Sequence, residues 1–268
     1  TVRDAAALLD CFAIPQIGDP FLIPKPEEAY ASLARKPARK LRIGLLTGPL
    51  AGVTTDAEVK AAVEAAGRKL AELGHWVEPA EADFGGLAAM HKLLDVWFFN
   101  FHARLDGYAA RTGRKPGPDT LEPVILKLYE YAKSVTGPTF MQRLLDLNGM
   151  RRKLGEFYAR HDIWLSPTTA RVAEPHGHYN LGRADVSFET LVEQLFAVPC
   201  QFCLPHNIMG TPAMSLPLAM HSTGLPIGVQ IAGRPADEHT VLQLATALEA
   251  AMPWASRTAN MHVSKASG

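Results

Sequence analysis

Leu41-Arg42-Ile43-Gly44-Leu45-Leu46 is a short apolar run set between Lys40 and Gly48, and its length and aliphatic content predict a buried strand. Thr55-Asp56-Ala57-Glu58 follows with the Thr-x-x-Glu spacing of a capping box, in which a hydroxyl and a carboxylate satisfy free N–H groups at a helix start. Val59, Val63, Ala66, Leu70 and Leu73 then recur at helical spacing, and Gly74 can take the left-handed conformation that stops a helix. His75-Trp76-Val77-Glu78 reads as a second strand. Strand, helix and strand joined by short turns make a βαβ unit, whose crossover joins parallel strands. The stretch 41–78 therefore puts the chain in the α/β class.

Upstream, Thr1-Val2-Arg3-Asp4 has the form of a capping box with Asp in place of Glu, and Ala5, Leu8, Leu9 and Phe12 continue a helix. Asp19 to Pro37 is Pro-rich and reads as a connection with a short helix around Glu27 to Ala34. Downstream, Phe84 to about Ala132 is mostly helical. Its aromatic cluster, Trp97, Phe98, Phe99 and Phe101, suits helix packing first and ligand lining second. Thr139 is expected to cap a helix with the stripe Phe140, Leu144, Leu147, Met150, Leu154 and Phe157, ending near His161. Ile163-Trp164-Leu165 reads as a strand halted by Ser166-Pro167, and a short helix is expected from Phe188 to about Val198. Ala213–Leu218 and Ile227–Ile231 form a strand pair turning through Ser222-Thr223-Gly224; Asp237 caps a last helix carrying Val241, Leu242, Ala245 and Leu248 inward.

Composition narrows the function. Lys plus Arg is 27 and Asp plus Glu is 27, so no excess charge points to a nucleic acid or a membrane surface, and a neutral or weakly charged small molecule is the favoured ligand. Three cysteines, Cys11, Cys200 and Cys203, are too few and too odd in number for a disulfide framework; they suit a reducing, cytoplasmic compartment. No apolar run approaches the roughly 20 residues of a membrane span. The chain opens at Thr1, without Met and already in a helix, and the expectation is that its natural start lies upstream.

The chain's own chemistry is sparse. Cys200-Gln201-Phe202-Cys203 has C-x-x-C spacing with His206 beyond it, and His176 and His178 could nominally complete a zinc site. The dyad lies in an apolar run rather than between tight turns, so neither zinc nor a redox dithiol is expected, and no cofactor is implied. There is no G-x-S-x-G elbow and no Gly-rich phosphate loop. Ser166, Ser215 and Cys203 are single nucleophile candidates without a base nearby in sequence.

Specific motifs emerge in the second half. Asp162-Ile163-Trp164-Leu165-Ser166-Pro167-Thr168 resembles the strand end "D-hydrophobic-hydrophobic-hydrophobic-T/S-P-T" of amidase-signature enzymes. Asn207-Ile208-Met209-Gly210-Thr211-Pro212-Ala213-Met214-Ser215-Leu216-Pro217 resembles their "N-x-x-G-x-P-A-x-S-x-P" stretch. Gly224 to Gly233, followed by Asp237-Glu238, resembles their "G-L-P-x-G-x-Q-x-x-G-x-x-x-D-E" close. Leu73-Gly74-His75 and Thr1-Val2-Arg3-Asp4-Ala5-Ala6 match upstream units in the right order, so the likeness spans nearly the whole chain. The wording is closer to bacterial amidases of the 6-aminohexanoate cyclic dimer hydrolase type.

The resemblance implies a mixed sheet with helices on both faces, formed by residues 1–255 as the C-terminal portion of one amidase-signature domain, with 256–268 as a flexible tail. Family members cleave an amide with a Ser–Ser–Lys triad in a Gly-rich segment before the helix that begins here at Thr1. No such segment occurs in these residues, so no catalytic residue is carried over and the chain alone is expected to be inactive. What it would supply is a wall of the substrate cleft: Ser166, Thr168, Cys200, Phe202, Cys203 and Asn207 are the expected contacts with a small-molecule amide. The missing segment is the expected partner, and a homodimer is left open. Competing readings are a catalytically inactive binding module, a fragment of an amidotransferase A-type subunit, and a small metal-binding domain.

Overall fold

A computed structural model describes the chain apart from residues 22, 188, 189, 191, 260, 261 and 263–268. Helix α1 (Val2–Phe12) and a single turn α2 (Tyr30–Leu33) lead into the βαβ unit of β1 (Arg42–Leu45), α3 (Ala57–Glu72) and β2 (Trp76–Pro79). Helices α4 (Gly86–Phe98), α5 (Phe101–Thr112), α6 (Pro123–Ser134) and α7 (Gly137–Arg160) follow and deliver the chain into β3 (Ile163–Pro167). A π-helical turn (Glu193–Ala197) runs into the short helices α8 (Val198–Cys200) and α9 (Leu204–Met209). The hairpin of β4 (Ala213–Met220) and β5 (Pro226–Ala232) and the helix α10 (Glu238–Ala251) come last.

Among the described residues these strands form one sheet in the order β2-β1-β3-β5-β4. β1 pairs in parallel with β2 and β3, whereas β3–β5 and β5–β4 are antiparallel, so the sheet is mixed, as expected. Successive strand residues point to opposite faces. Ile163, Leu165, Val229 and Ile231 pack with α1, α3 and α10 in one apolar cluster. Trp164 and Ala232 pack with α4, α7 and α9 in another, so helices cover both faces. Gly44 permits the second contact: a Cβ there would lie 2.6 Å from Phe157 Cε2 and 2.9 Å from Ala80 Cβ.

Several helix starts differ from expectation. The capping box of α1 is present, with Thr1 Oγ1 accepting from Asp4 N at 3.2 Å. For α3 the cap is Asp56 rather than Thr55; its carboxylate accepts from Glu58 N (2.8 Å) and Val59 N (3.2 Å). Glu58 is drawn instead to the β4–β5 hairpin, accepting from Ser222 N (2.8 Å) and Oγ (2.6 Å). α7 is capped by Thr136 rather than Thr139, because Gly137-Pro138 fits the first turn, where an N–H is not required. α2 is shorter than read, its first N–H groups donated to Asp10 from Tyr30 (2.7 Å) and Ala31 (3.0 Å). β3 runs on through Ser166 and Pro167 because β5 pairs alongside both. Asp237 holds the cap position of α10, but its carboxylate takes the Thr240 hydroxyl (2.6 Å).

Phe98 and Phe101 meet edge to face at 5.5 Å, and Phe99 stacks on Phe140 of α7 at 4.4 Å, so these aromatics of the cluster serve helix packing. The expected helix from Phe188 begins outside the described residues. Most of the expected tail lies outside them too, while Arg257 donates to the carbonyls of Pro217 (2.9 Å) and Leu218 (3.3 Å) on β4. Among the described residues no helix is long and apolar enough to cross a membrane.

Candidate functional site

The face of the sheet toward α7 and α9 carries a row of polar side chains. Ser166, Gln230 and Ser215 are direct partners across β3, β5 and β4, so pairing alone brings together residues far apart in sequence. Gln230 Nε2 donates to Ser166 Oγ (3.3 Å) and to the Phe202 carbonyl (2.9 Å), fixing the turn before α9 against the strands. One step on, the hydroxyls of Thr168 and Ser215 share a hydrogen bond of 2.5 Å. Gly228 lies beneath them; a Cβ at that position would come within 2.8 Å of both hydroxyl oxygens. Glycine is thus what allows the two hydroxyls to meet over β5.

Cys203, the cap residue of α9, directs Sγ to the Thr168 carbonyl at 3.3 Å, and Asn207 on the exposed side of α9 donates to the Cys203 carbonyl at 3.4 Å. Thr168 and Cys203 are half-buried and Ser215 and Asn207 exposed, so these four present one polar surface, with half-buried Cys200 a turn behind. Ser166 and Phe202 stand differently: both are fully buried and support that surface from within. Gln201 is buried as well. Its Oε1 accepts from Leu50 N (2.9 Å) and Ala51 N (3.1 Å) and its Nε2 donates to Val53 O (3.0 Å), which pins the loop after β1 to the same turn.

Burial governs the electrostatics. It pushes the Cys203 thiol up to about 11, with Cys200 adding to the effect, and it raises the Cys200 thiol as well. Both are neutral thiols at pH 7, which makes poor nucleophiles. Burial lowers His206 to about 4, so its ring is neutral; Nδ1 faces Thr211 Oγ1 at 3.1 Å and the ring meets Trp164 edge to face. Among the described residues no group of three or more His, Cys, Asp or Glu is placed to hold a metal ion. At the far end of β3, Asp162 is an anchor. Burial raises its carboxyl, but hydrogen bonds from Arg39 (2.8 Å) and Arg42 N (2.8 Å), with Arg234 at 3.2 Å, outweigh that and hold it low.

An apolar cavity of about 740 Å³ lies elsewhere, between Pro118, Leu121, Pro123, Leu126 and Ala184. Its polar groups are committed: Lys127 Nζ to the carbonyls of Ala184 and Val186, and the Tyr131 hydroxyl to Asp95. The polar row is the better candidate for chemistry. Gln201 and the pairing of Gln230 with Ser166 escaped the sequence reading. A glutamine inside a buried β-strand motif was the available signal, since a buried amide must find partners.

The comparisons with known proteins agree with this architecture. The family model described as Amidase matches residues 1–242. The 6-aminohexanoate-cyclic-dimer hydrolase of Pseudomonas sp. (strain NK87) is 31% identical over 263 residues, covering 96% of this chain and 53% of its own length. The counterpart from Paenarthrobacter ureafaciens is 31% identical over 267 residues, with the same coverage. A solved structure of a 6-aminohexanoate cyclic dimer hydrolase complexed with substrate superposes with a TM-score of 0.87 at 30% identity, covering 95% of this chain and 54% of the other. The chain thus spans about half the length of the relatives it matches. With the family model matching most of its length, and with the mixed sheet shared with these neighbours, the chain belongs to the amidase family.

Proposed function

We propose that this chain forms one wall of the substrate cleft of an amide hydrolase, which converts a carboxylic amide and water to an acid and an amine or ammonia. The observation that carries the reading is the surface of Thr168, Ser215, Cys203 and Asn207 at the end of β3, set on elements that belong to the amidase family. Ligands of α/β folds bind outside strand ends, and hydroxyl and amide groups there can orient an amide without ionising. Cys200, Cys203, Thr168 and Asn207 are assigned to direct contact with the small-molecule amide, and buried Ser166 and Phe202 to holding that contact surface in place. The attacking serine and its base come from polypeptide outside these residues, and the chain alone does not turn over. The neutral thiols support this assignment, because neither cysteine is activated as a nucleophile.

The test is hydrolysis of a panel of aryl and aliphatic amides, including cyclic amides, by this chain alone and by the chain extended upstream through a Gly-Ser-Ser-Gly-Gly-type segment. Turnover in the extended form only is the expected result. Turnover by the 268-residue chain alone, abolished by Cys203→Ala or Ser215→Ala, would overturn it. Silence from both forms would favour a binding module.

A further inference from the structure

The chain is charge-balanced as a whole, but its cations are unevenly placed. Between Glu28 and Asp56 it carries Arg35, Lys36, Arg39, Lys40 and Arg42 and no acidic residue. Lys40 and Arg42 stand at the end of the sheet where β1 and β2 begin, the end away from Thr168. Arg42 and Trp76 are direct partners across this parallel pair, so their side chains lie next to each other on one face. Trp76 is 67% exposed, and its indole N–H donates to Glu78 Oε2 at 3.2 Å, which fixes the plane of the ring. A lone exposed apolar residue needs no explanation. Here, however, the indole forms one wall of a depression of about 320 Å³ whose other walls are Lys40, Leu41, Arg42, Gly74 and His75.

The polar groups around that depression are donors with capacity to spare. Lys40 makes no ion pair among the described residues. Arg42, 60% exposed, faces Glu78 at 3.7 Å, beyond hydrogen-bond length. His75 accepts the Leu41 N–H on Nδ1 (3.3 Å), which places the ring proton on Nε2, an atom without a protein partner among the described residues. Burial lowers the pKa of this ring, in keeping with the neutral tautomer. Glu78, the carboxylate beside them, is itself taken up by Trp76, His161 (2.9 Å) and Arg42. An ammonium, a guanidinium and an imidazole N–H around an indole face match a ligand that offers a flat ring to the indole and acidic oxygens to the donors. We propose that the depression at the start of β1 and β2 binds a small anion built on a planar ring, its phosphate or carboxylate held by Lys40, Arg42 and His75 and its ring stacked on Trp76. The volume suits one such molecule, since ligand pockets span about 300–1,000 Å³. The charge separates this ligand from the amide of the cleft, and the site stands whether or not the chain is part of an amide hydrolase.

The test is isothermal titration calorimetry of this chain with adenosine monophosphate and with benzoate, set against adenosine, inorganic phosphate and acetate. One-site binding of a ring-bearing anion with a dissociation constant below about 1 mM is expected. The fragments that lack the ring or the charge should bind at least about tenfold more weakly. Tighter binding of adenosine monophosphate identifies a nucleotide as the source of the ligand, and tighter binding of benzoate an aryl acid. Trp76→Ala and Lys40→Ala should each weaken binding by about tenfold, whereas Trp76→Phe, which keeps a ring face, should retain most of it. Both side chains are exposed, so an unchanged urea midpoint should accompany the loss. Binding of neither anion overturns the proposal, as does phosphate or acetate binding as tightly as the ring-bearing anions, or binding that Trp76→Ala leaves unchanged. The basic and aromatic side chains would then serve only to guard the outer strand β2 against pairing.

Discussion

Gln230 and Ile231 are neighbours on β5, yet they enter two differently built halves of the protein. Ile231 faces the side covered by α1, α3 and α10, where the sheet contributes only aliphatic side chains and area removed from water does the stabilising. Gln230 faces the side covered by α4, α7 and α9, where Ser166, Gln201 and His206 are also buried. The two glutamines are tolerable there because they satisfy backbone groups of the turn before α9 and of the loop after β1, whereas His206 is paired through Nδ1 alone. The first face holds the fold together; the second uses specific hydrogen bonds to fix the turn that carries Cys203 and Asn207. A face that positions a surface is sensitive to partner identity, and a face that only excludes water is sensitive to volume.

That contrast can be broken at four points. The largest effect is expected on the aliphatic face: Ile231→Ala should cost about 2–5 kcal/mol in urea unfolding, because a fully buried side chain leaves a cavity there. An effect below 1 kcal/mol would mean that the face repacks freely. Next comes pH. His206 has its pKa lowered by burial to about 4, so the unfolded chain binds more protons between about 4 and the usual histidine value of 6.5. Its contribution is full above pH 6.5 and is lost as pH falls toward 4, amounting to up to about 3 kcal/mol. His206→Gln should flatten the stability profile in that window; His75, also lowered by burial, leaves a residual slope.

Gln230→Leu should cost about 1–3 kcal/mol, mostly from the unpaired Phe202 carbonyl, and should raise hydrogen exchange in the turn before α9 more than in α3. Uniform exchange across both faces would sink the claim that this side chain acts locally. The smallest effect on stability is expected from Ser215→Ala, within about 0.5 kcal/mol, because the residue is exposed. In the proposed upstream-extended hydrolase the same change should raise KM for the amide several-fold with kcat less affected, and an unchanged KM would remove Ser215 from the proposed contact surface.

Local periodicity carried much of the fold. The βαβ unit, the stripe of α7 and the β4–β5 hairpin were all legible because their side-chain spacing reports the backbone repeat directly. The caps were less so: Thr55 and Asp56 both suit the start of α3, and which one serves depends on where Glu58 finds a donor, which the distant Ser222 decides. The candidate site was less legible. The structure joins Thr168, Cys203 and Asn207 in one chain of hydrogen bonds, and no spacing rule could show that Thr168 would meet Ser215. Nor could it show that Phe202 offers Gln230 its carbonyl while its ring is buried in the core.

The sequence by itself determined the α/β class, the parallel pairing across α3, the balanced charge and the family, since each rests on short-range pattern or on ordered motifs. The tertiary structure decided which polar residues are buried and which are presented. Strand pairing brings Ser166, Gln230 and Ser215 into one row across three strands, and only the packing of α9 on that row determines which of them solvent can reach. The physical reason is that hydrophobic periodicity is a property of a single element, whereas the satisfaction of a buried polar group depends on partners that distant elements supply.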